Sequence, residues 1–329
     1  VIRIAIITAG LLAGLSASAL AADLVIAGST DTRAMTPLVE RFEADNPDVA
    51  VTYLELGTLE IYDGVRAGTI APAPDLVISS AADLQVRLVN DGYALPHASD
   101  ATAALPAWAR WRDEAFGFTF EPLVFVVNPS LLPPEAWPRT RDALGRFVAG
   151  AGVDGPRVAT YDVGSSGIGY LAASVDAVTM SDYWPFIERM SGRGLLTACC
   201  TADVLDMVED GRALVGYNVL GSYARARVAE GGRLAIVEPE DFTVAITRVA
   251  VLLGTAREED AARRFLDFLL SPAGQGILGD DALLPAPRAG PAKGQVRPVP
   301  LDATLLALTD DMRRRQFIAL WSSVASGGP

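Results

Sequence analysis

The sequence predicts an α/β protein of two lobes, each a sheet flanked by helices, and three observations lead there. From Leu24 to Asn90 short apolar runs alternate with helical periodicities, the order of a parallel sheet with helices on its faces. Two long strand-like segments, Phe116–Asn128 and Phe242–Leu253, read as crossings of the chain between two units. Arg157–Tyr170 (RVATYDVGSSGIGY) then repeats strand, turn and helix inside the second unit. With 329 residues, half of them apolar and a fifth charged, the chain can bury two cores.

Val1–Ala21 reads as a leader rather than fold. Arg3 precedes an apolar run, Ile4–Leu15, and Ala19-Leu20-Ala21 supplies the cleavage pattern. Cleavage after Ala21 would start the mature protein at Ala22 or Asp23, in the periplasm. No later run is long and apolar enough to span a bilayer.

Leu24–Ala27 is an apolar strand, and Gly28-Ser29-Thr30-Asp31 follows as turn and cap. Met35, Leu38, Val39 and Phe42 recur at helical spacing until Asn46-Pro47. Val49, Val51 and Tyr53 alternate as a strand, and Thr58–Ala67 reads as helix with Glu60 and Tyr62 exposed near its start. Asp75–Ser79 is a third strand, and Ser79-Ser80 caps a helix reaching Asn90. The first crossing breaks at Glu121-Pro122, where Glu121 is a candidate hinge residue. A proline-rich connection, Pro129–Pro138, leads to a helix over Thr140–Ala149. After the Arg157–Tyr170 stretch come helices at Asp182–Met190 and Ala202–Glu209, a strand Ala213–Tyr217, a helix Asn218–Ala229 and a strand Leu234–Val237. Past the second crossing, Glu258–Leu270 is amphipathic helix, Ala273–Leu278 a short helix, Ala282–Val299 a Pro/Gly-rich loop and Leu301–Ser322 a terminal helix. The expected division is residues 22–122 with 246–329 as lobe I, and 123–245 as lobe II.

A net charge of −13 argues against nucleic acid and anionic lipid as partners. The single histidine, His97, and the adjacent Cys199 and Cys200 offer neither an ordinary zinc set nor a catalytic triad. No catalytic residue, metal or cofactor is therefore expected. The cysteines read as two buried thiols, a vicinal disulfide being the alternative that export allows.

The turn Asp162–Gly167 carries two readings. One is a capped turn without ligand. In the other, N–H groups at the start of the following helix aim at an anion, and this turn is one jaw of a cleft whose other jaw is Gly28–Asp31. A dinucleotide fingerprint over Gly167, Gly169 and Ala172 lacks its acidic residue at a strand end, and the nucleophile-elbow spacing is missed by one place.

Taken in order, Gly28–Asp31, Gly117–Pro122 (GFTFEP), Tyr161 with Ser165–Tyr170 (SSGIGY), Gly216–Tyr223 (GYNVLGSY) and Phe268–Gln275 (FLLSPAGQ) resemble the extracellular solute-binding proteins of bacterial ABC importers. They are most similar to the branch that handles ferric iron, sugar phosphates and phosphoglycerate. The resemblance implies a type II periplasmic-binding-protein (Venus-flytrap) fold, a monomer that closes on a solute and delivers it to ABC permease subunits. By that resemblance the ligand-binding residues are Ser29, Thr30, Asp31, Ser79 and Ser80 from one lobe and Ser165, Ser166, Gly167, Tyr217 and Asn218 from the other. Arg248 is the candidate counter-charge, and Asp31 is expected to hold its turn rather than touch an anion. Iron members bind metal through adjacent tyrosines, whereas Tyr217 and Tyr223 here stand six positions apart. A small organophosphate or carboxylate is the expected solute. Ferric iron is the alternative ligand, and presentation of ligand to a membrane histidine kinase the alternative role.

Overall fold

The structure, a computed structural model, describes residues 22–150, 157–192, 194–279 and 295–327. The predicted leader and the tip of the loop before residue 295 lie outside the described residues. The first lobe opens with β1 (Ala22–Gly28), α1 (Thr32–Asp45), β2 (Val49–Glu55), α2 (Thr58–Ala67), β3 (Leu76–Ser79) and α3 (Ala82–Asn90). It continues through α4 (Asp100–Ala103), β4 (Arg110–Trp111) and β5 (Ala115–Gly117). The chain then enters the second lobe as β6 (Glu121–Val127), α5 (Arg141–Gly150), β7 (Val158–Tyr161), α6 (Gly167–Thr179), α7 (Tyr183–Ser191), β8 (Leu196–Ala198), α8 (Thr201–Glu209), β9 (Val215–Leu220), α9 (Gly221–Ala229), β10 (Ala235–Val237) and β11 (Phe242–Ile246). It returns with β12 (Val249–Leu252), α10 (Glu259–Leu270) and α11 (Pro272–Leu278), and ends with β13 (Gln295–Pro298) and α12 (Asp311–Ala325). No helix among the described residues is long and apolar enough to cross a membrane.

The first sheet runs β2-β1-β3-β12-β5-β4, the second β13-β11-β6-β9-β7-β8 with β10 paired to β6. In the first, β1 is parallel to β2 and β3, while β12 is antiparallel to β3 and β5. Leu24, Ile26, Leu76, Ile78 and Phe116 of that sheet pack on Phe42 and Phe265, and Phe125, Val127, Tyr183, Phe186 and Trp321 pack in the second lobe. Both long apolar segments divide between the sheets, at Phe118–Phe120 and at Thr247–Arg248, so each carries the chain from one lobe to the other.

The sheets move the lobe boundaries. Residues from Gln295 onward, assigned to lobe I from sequence, contact both lobes: β13 lies parallel to β11 and the Trp321 indole N–H of α12 donates to the Tyr183 hydroxyl at 3.1 Å, whereas the Leu301 N–H donates to the Trp108 carbonyl of the first lobe at 2.7 Å. Glu121 and Pro122 also join the second sheet, opposite Ile246 and Ala245. The Pro/Gly-rich reading of 282–299 missed β13, whose partner among the described residues is β11, far earlier in the chain. Strands β4 and β8 were missed as well, being two and three residues long.

A further correction concerns β9. It runs to Leu220, so the helix expected from Asn218 starts at Gly221. Asn218 sits inside the strand at φ 59°, a left-handed conformation that asparagine tolerates better than most residues, beside a register shift against β6.

Asp83, in the first turn of α3, is fully buried. Burial pushes its carboxyl up to about 6, although Arg314 pulls the other way. The neutral form is thus favoured in the fold, and the sign follows: stability falls as pH rises from about 4 to about 6, then levels off. Asp83→Asn should flatten that slope and add roughly 3 kcal/mol at neutral pH, read by urea unfolding across pH.

Candidate functional site

The edges of the two sheets face each other across a cleft, and the turns that follow their strands line it. Three contacts between the lobes border the cleft. The Tyr223 hydroxyl of α9 donates to the Asp31 carboxylate at 2.9 Å and accepts from the Asp31 N–H at 3.3 Å. Arg33 forms an exposed ion pair with Glu230. The Gly167 N–H donates to the Thr58 hydroxyl at 2.9 Å. The Asp31–Tyr223 contact partitions the cleft into two cavities of about 490 Å³ each.

The first cavity is built round Arg248, which follows β11 at the crossing and is 4 % exposed. Its Nε lies 2.7 Å from Glu121 Oε1, and its Nη1 donates to the Thr30 hydroxyl at 2.7 Å. Burial alone would lower the guanidinium pKa, but Glu121 together with Tyr223 and Tyr53 offsets it and the net shift is upward. Glu121 also accepts from the hydroxyls of Thr119, at 2.9 Å, and Ser222. Arg33 and Arg227 stand on the rim. Arg227 is held by Asp206 and Glu209. Burial lifts the Tyr223 phenol pKa, so that hydroxyl stays protonated.

The second cavity collects Ser29, Ser80, Ser165 and Ser166, together with Asp31, Glu55 and Glu60 and the Cys199–Cys200 pair. Ser29 Oγ accepts from the Ser80 N–H at 3.2 Å. The anion expected at the Asp162–Gly167 turn meets a carboxylate already in place: Asp162 Oδ1 accepts from the Gly164 N–H at 2.9 Å, the Ser165 N–H at 2.8 Å and the Ser165 hydroxyl at 3.0 Å. At α1 the Thr32 N–H is likewise taken, by Glu55 at 2.7 Å. Glu60 accepts from the Gly57 N–H at 2.6 Å. Ser166 caps its own helix, its Oγ accepting from the Gly169 N–H at 3.2 Å. Ser166→Ala should therefore cost about 1 kcal/mol of fold stability and leave solute affinity within about threefold, measured by denaturation and calorimetry.

Four expected residues line neither cavity: Gly167, whose N–H is taken by Thr58, and Ser79, Tyr217 and Asn218. Ser79 is buried and caps the turn locally, accepting from the Ala81 N–H at 3.2 Å. Tyr217 and Asn218 point into the second lobe, where the Tyr217 hydroxyl and the Asn218 amide (2.6 Å) both donate to Asp176 of α6. Asp176 is held in turn by the buried Arg141, 3.4 Å away. The extension of β9 explains this: the turn that opens onto the cleft is Leu220–Ser222, not Tyr217–Asn218. Tyr223, Ser222, Thr119 and Thr58 were missed as site residues. Tyr223 and Thr119 lay inside GSY and GFTFEP, but neither segment reveals the distant partner, Asp31 for Tyr223 and Arg248 for Thr119. The cysteines, expected as buried thiols, are exposed and disulfide-bonded.

Two lobes facing each other across a cleft, with chain crossings between them, are the architecture of a hinged binding protein. Residues 24–281 match the family model for bacterial extracellular solute-binding proteins, and the chain belongs to that family. The match begins just beyond the predicted leader, in keeping with a periplasmic protein. A structure described as the substrate binding protein of the ABC transporter from Agrobacterium tumefaciens is similar at TM-score 0.84 and 35% identity, over 94% of this chain and 96% of that one. At 18% identity, AfuA from Actinobacillus pleuropneumoniae, with exogenous fructose-6-phosphate bound, shares the fold at TM-score 0.72, over 92% of this chain and 98% of that one. At 12% identity, iron-bound HitA from Pseudomonas aeruginosa shares it at TM-score 0.70, over 92% and 99%. No curated protein matches the chain.

Proposed function

We propose that this protein is the substrate-binding component of an ABC importer, closing on a small organophosphate or carboxylate and presenting it to the permease subunits. The observation that carries the reading is the buried Arg248 at the floor of the first cavity, ringed by the hydroxyls of Thr30, Thr119, Ser222 and Tyr223. Arginine and hydroxyl donors suit planar and tetrahedral oxyanions. The Arg33–Glu230 pair on the rim is exposed, so an anion can exchange with Glu230 at little cost. Ser29 and Ser80 add hydroxyls in the second cavity, where a hydroxylated body would sit. The importer assignment draws on the Agrobacterium relative, and the anionic class on the likeness to AfuA.

The iron alternative has less support. Tyr217 is withdrawn into the second lobe, and Tyr223 is the one tyrosine among the residues lining the two cavities. Thermal unfolding with fructose 6-phosphate, 3-phosphoglycerate, citrate and ferric citrate tests the reading. A true ligand at a hundredfold over its Kd should add about 2.7 kcal/mol. Stabilisation by the ferric complex alone would overturn the organic-anion assignment.

A further inference from the structure

The second cavity differs from the first in charge. Its lining includes three carboxylates, Asp31, Glu55 and Glu60, and no basic side chain, whereas the first carries Arg33, Arg227 and Arg248. Its wall is closed by the Cys199–Cys200 disulfide, in the turn from β8 to α8, with Asp203 one helical turn further on. All three residues are exposed, and their sulfur and carboxylate atoms lie within 4.8 Å of one another. Cys199 Sγ is 3.7 Å from Asp203 Oδ2. A tetrahedral zinc ion with one sulfur and one oxygen ligand holds those atoms about 3.6 Å apart. The donor set is therefore spaced for a metal once the sulfurs are free.

We propose that reduction of Cys199–Cys200 converts this wall into a site for a thiophilic divalent cation, held by the two thiolates and the Asp203 carboxylate. The reductant is a dithiol. It gives up two electrons and two protons and becomes its own disulfide, while the Cys199–Cys200 bond breaks to two thiols. The cation then displaces both thiol protons into solvent. Cys200 stands at the N-terminal end of α8, where the helix field favours a thiolate. The three cavity carboxylates add a negative potential that draws a cation and not an anion. Protein with the disulfide intact has no thiolate to offer, so the site exists in one redox state only. This inference is independent of the solute assignment, because its ligand is the metal itself.

The test uses Cd²⁺ on the whole mature protein, reduced with a phosphine that is then removed. The reduced protein should bind one Cd²⁺ with a sulfur-to-metal charge-transfer band, and reoxidised protein none. Replacing both cysteines with serine should abolish the band. Asp203→Asn should keep the band but weaken binding about tenfold or more. Far-UV circular dichroism of reduced, metal-free protein checks that the lobes stay folded. Absence of a one-to-one band in folded reduced protein would overturn the proposal, as would equal Cd²⁺ binding by Asp203→Asn or by the double serine variant.

Discussion

Arg248→Leu should lower fold stability by about 3–5 kcal/mol and abolish anion binding, while Arg248→Leu with Glu121→Gln should recover most of the stability and none of the binding. The first half rests on Glu121, which is fully buried and whose charge Arg248 neutralises at 2.7 Å. Without that partner the carboxylate keeps only the hydroxyls of Thr119 and Ser222. Two neutral hydrogen bonds cannot replace a paired charge away from water. Glutamine at position 121 removes the charge and can still meet those hydroxyls, which is why the double variant recovers. The second half rests on the proposed anion site, since either variant takes away the guanidinium that lines the first cavity. Chemical denaturation and calorimetry on the same samples separate the two effects. A single variant within about 1 kcal/mol of the parent would mean that Glu121 is not the isolated charge the geometry makes it.

How far the sequence could be read is visible in the same residues. Strands such as Leu76–Ser79, buried on both faces, show as apolar runs between turn residues, and both crossings show because they are longer than one strand needs. The turns after β1 and β7 were also legible, since Ser, Gly and Asp mark the start of their helices, whereas the turn after β9 was placed at Tyr217–Asn218 instead of Leu220–Ser222. What could not be read depends on distant partners. Tyr223 acquires its role only when Asp31, 192 positions away, is brought to its hydroxyl. Tyr217 resembled a cleft residue until Asp176 fixed it in the core. Arg248 was recognised as a cation, but the Glu121 that offsets its charge lies 127 positions away. The turn at Asp162–Gly167 has the donor geometry of an anion site, yet its own Asp162 fills that geometry. A donor-rich turn in a sequence does not say which carboxylate will occupy it.

Gly167→Ala should weaken solute binding by about tenfold to a hundredfold while leaving the stability of unliganded, open protein close to the parent's. Gly167 opens α6 at the point where the second lobe meets the first. A Cβ there would stand 2.6 Å from the Thr58 hydroxyl and 3.0 Å from the Ala81 Cβ, both across the cleft. The lobes could not approach as they do here, and the 2.9 Å bond from the Gly167 N–H to Thr58 would stretch or break. In an open clamp those neighbours are withdrawn, so the methyl costs little there. A substitution that penalises only the closed form lowers affinity without touching any solute contact, because the solute must then supply the energy to close the lobes. Thr58→Ala, which loses the bond but adds no bulk, should cost much less than Gly167→Ala. The double variant should recover part of the loss, since the hydroxyl at 2.6 Å is gone while the Cβ atoms of residues 58 and 81, each at 3.0 Å, remain. Small-angle scattering with saturating solute reads closure directly, and calorimetry reads affinity. A Gly167→Ala protein that closes and binds like the parent would show that the lobes grip the solute without meeting at this turn.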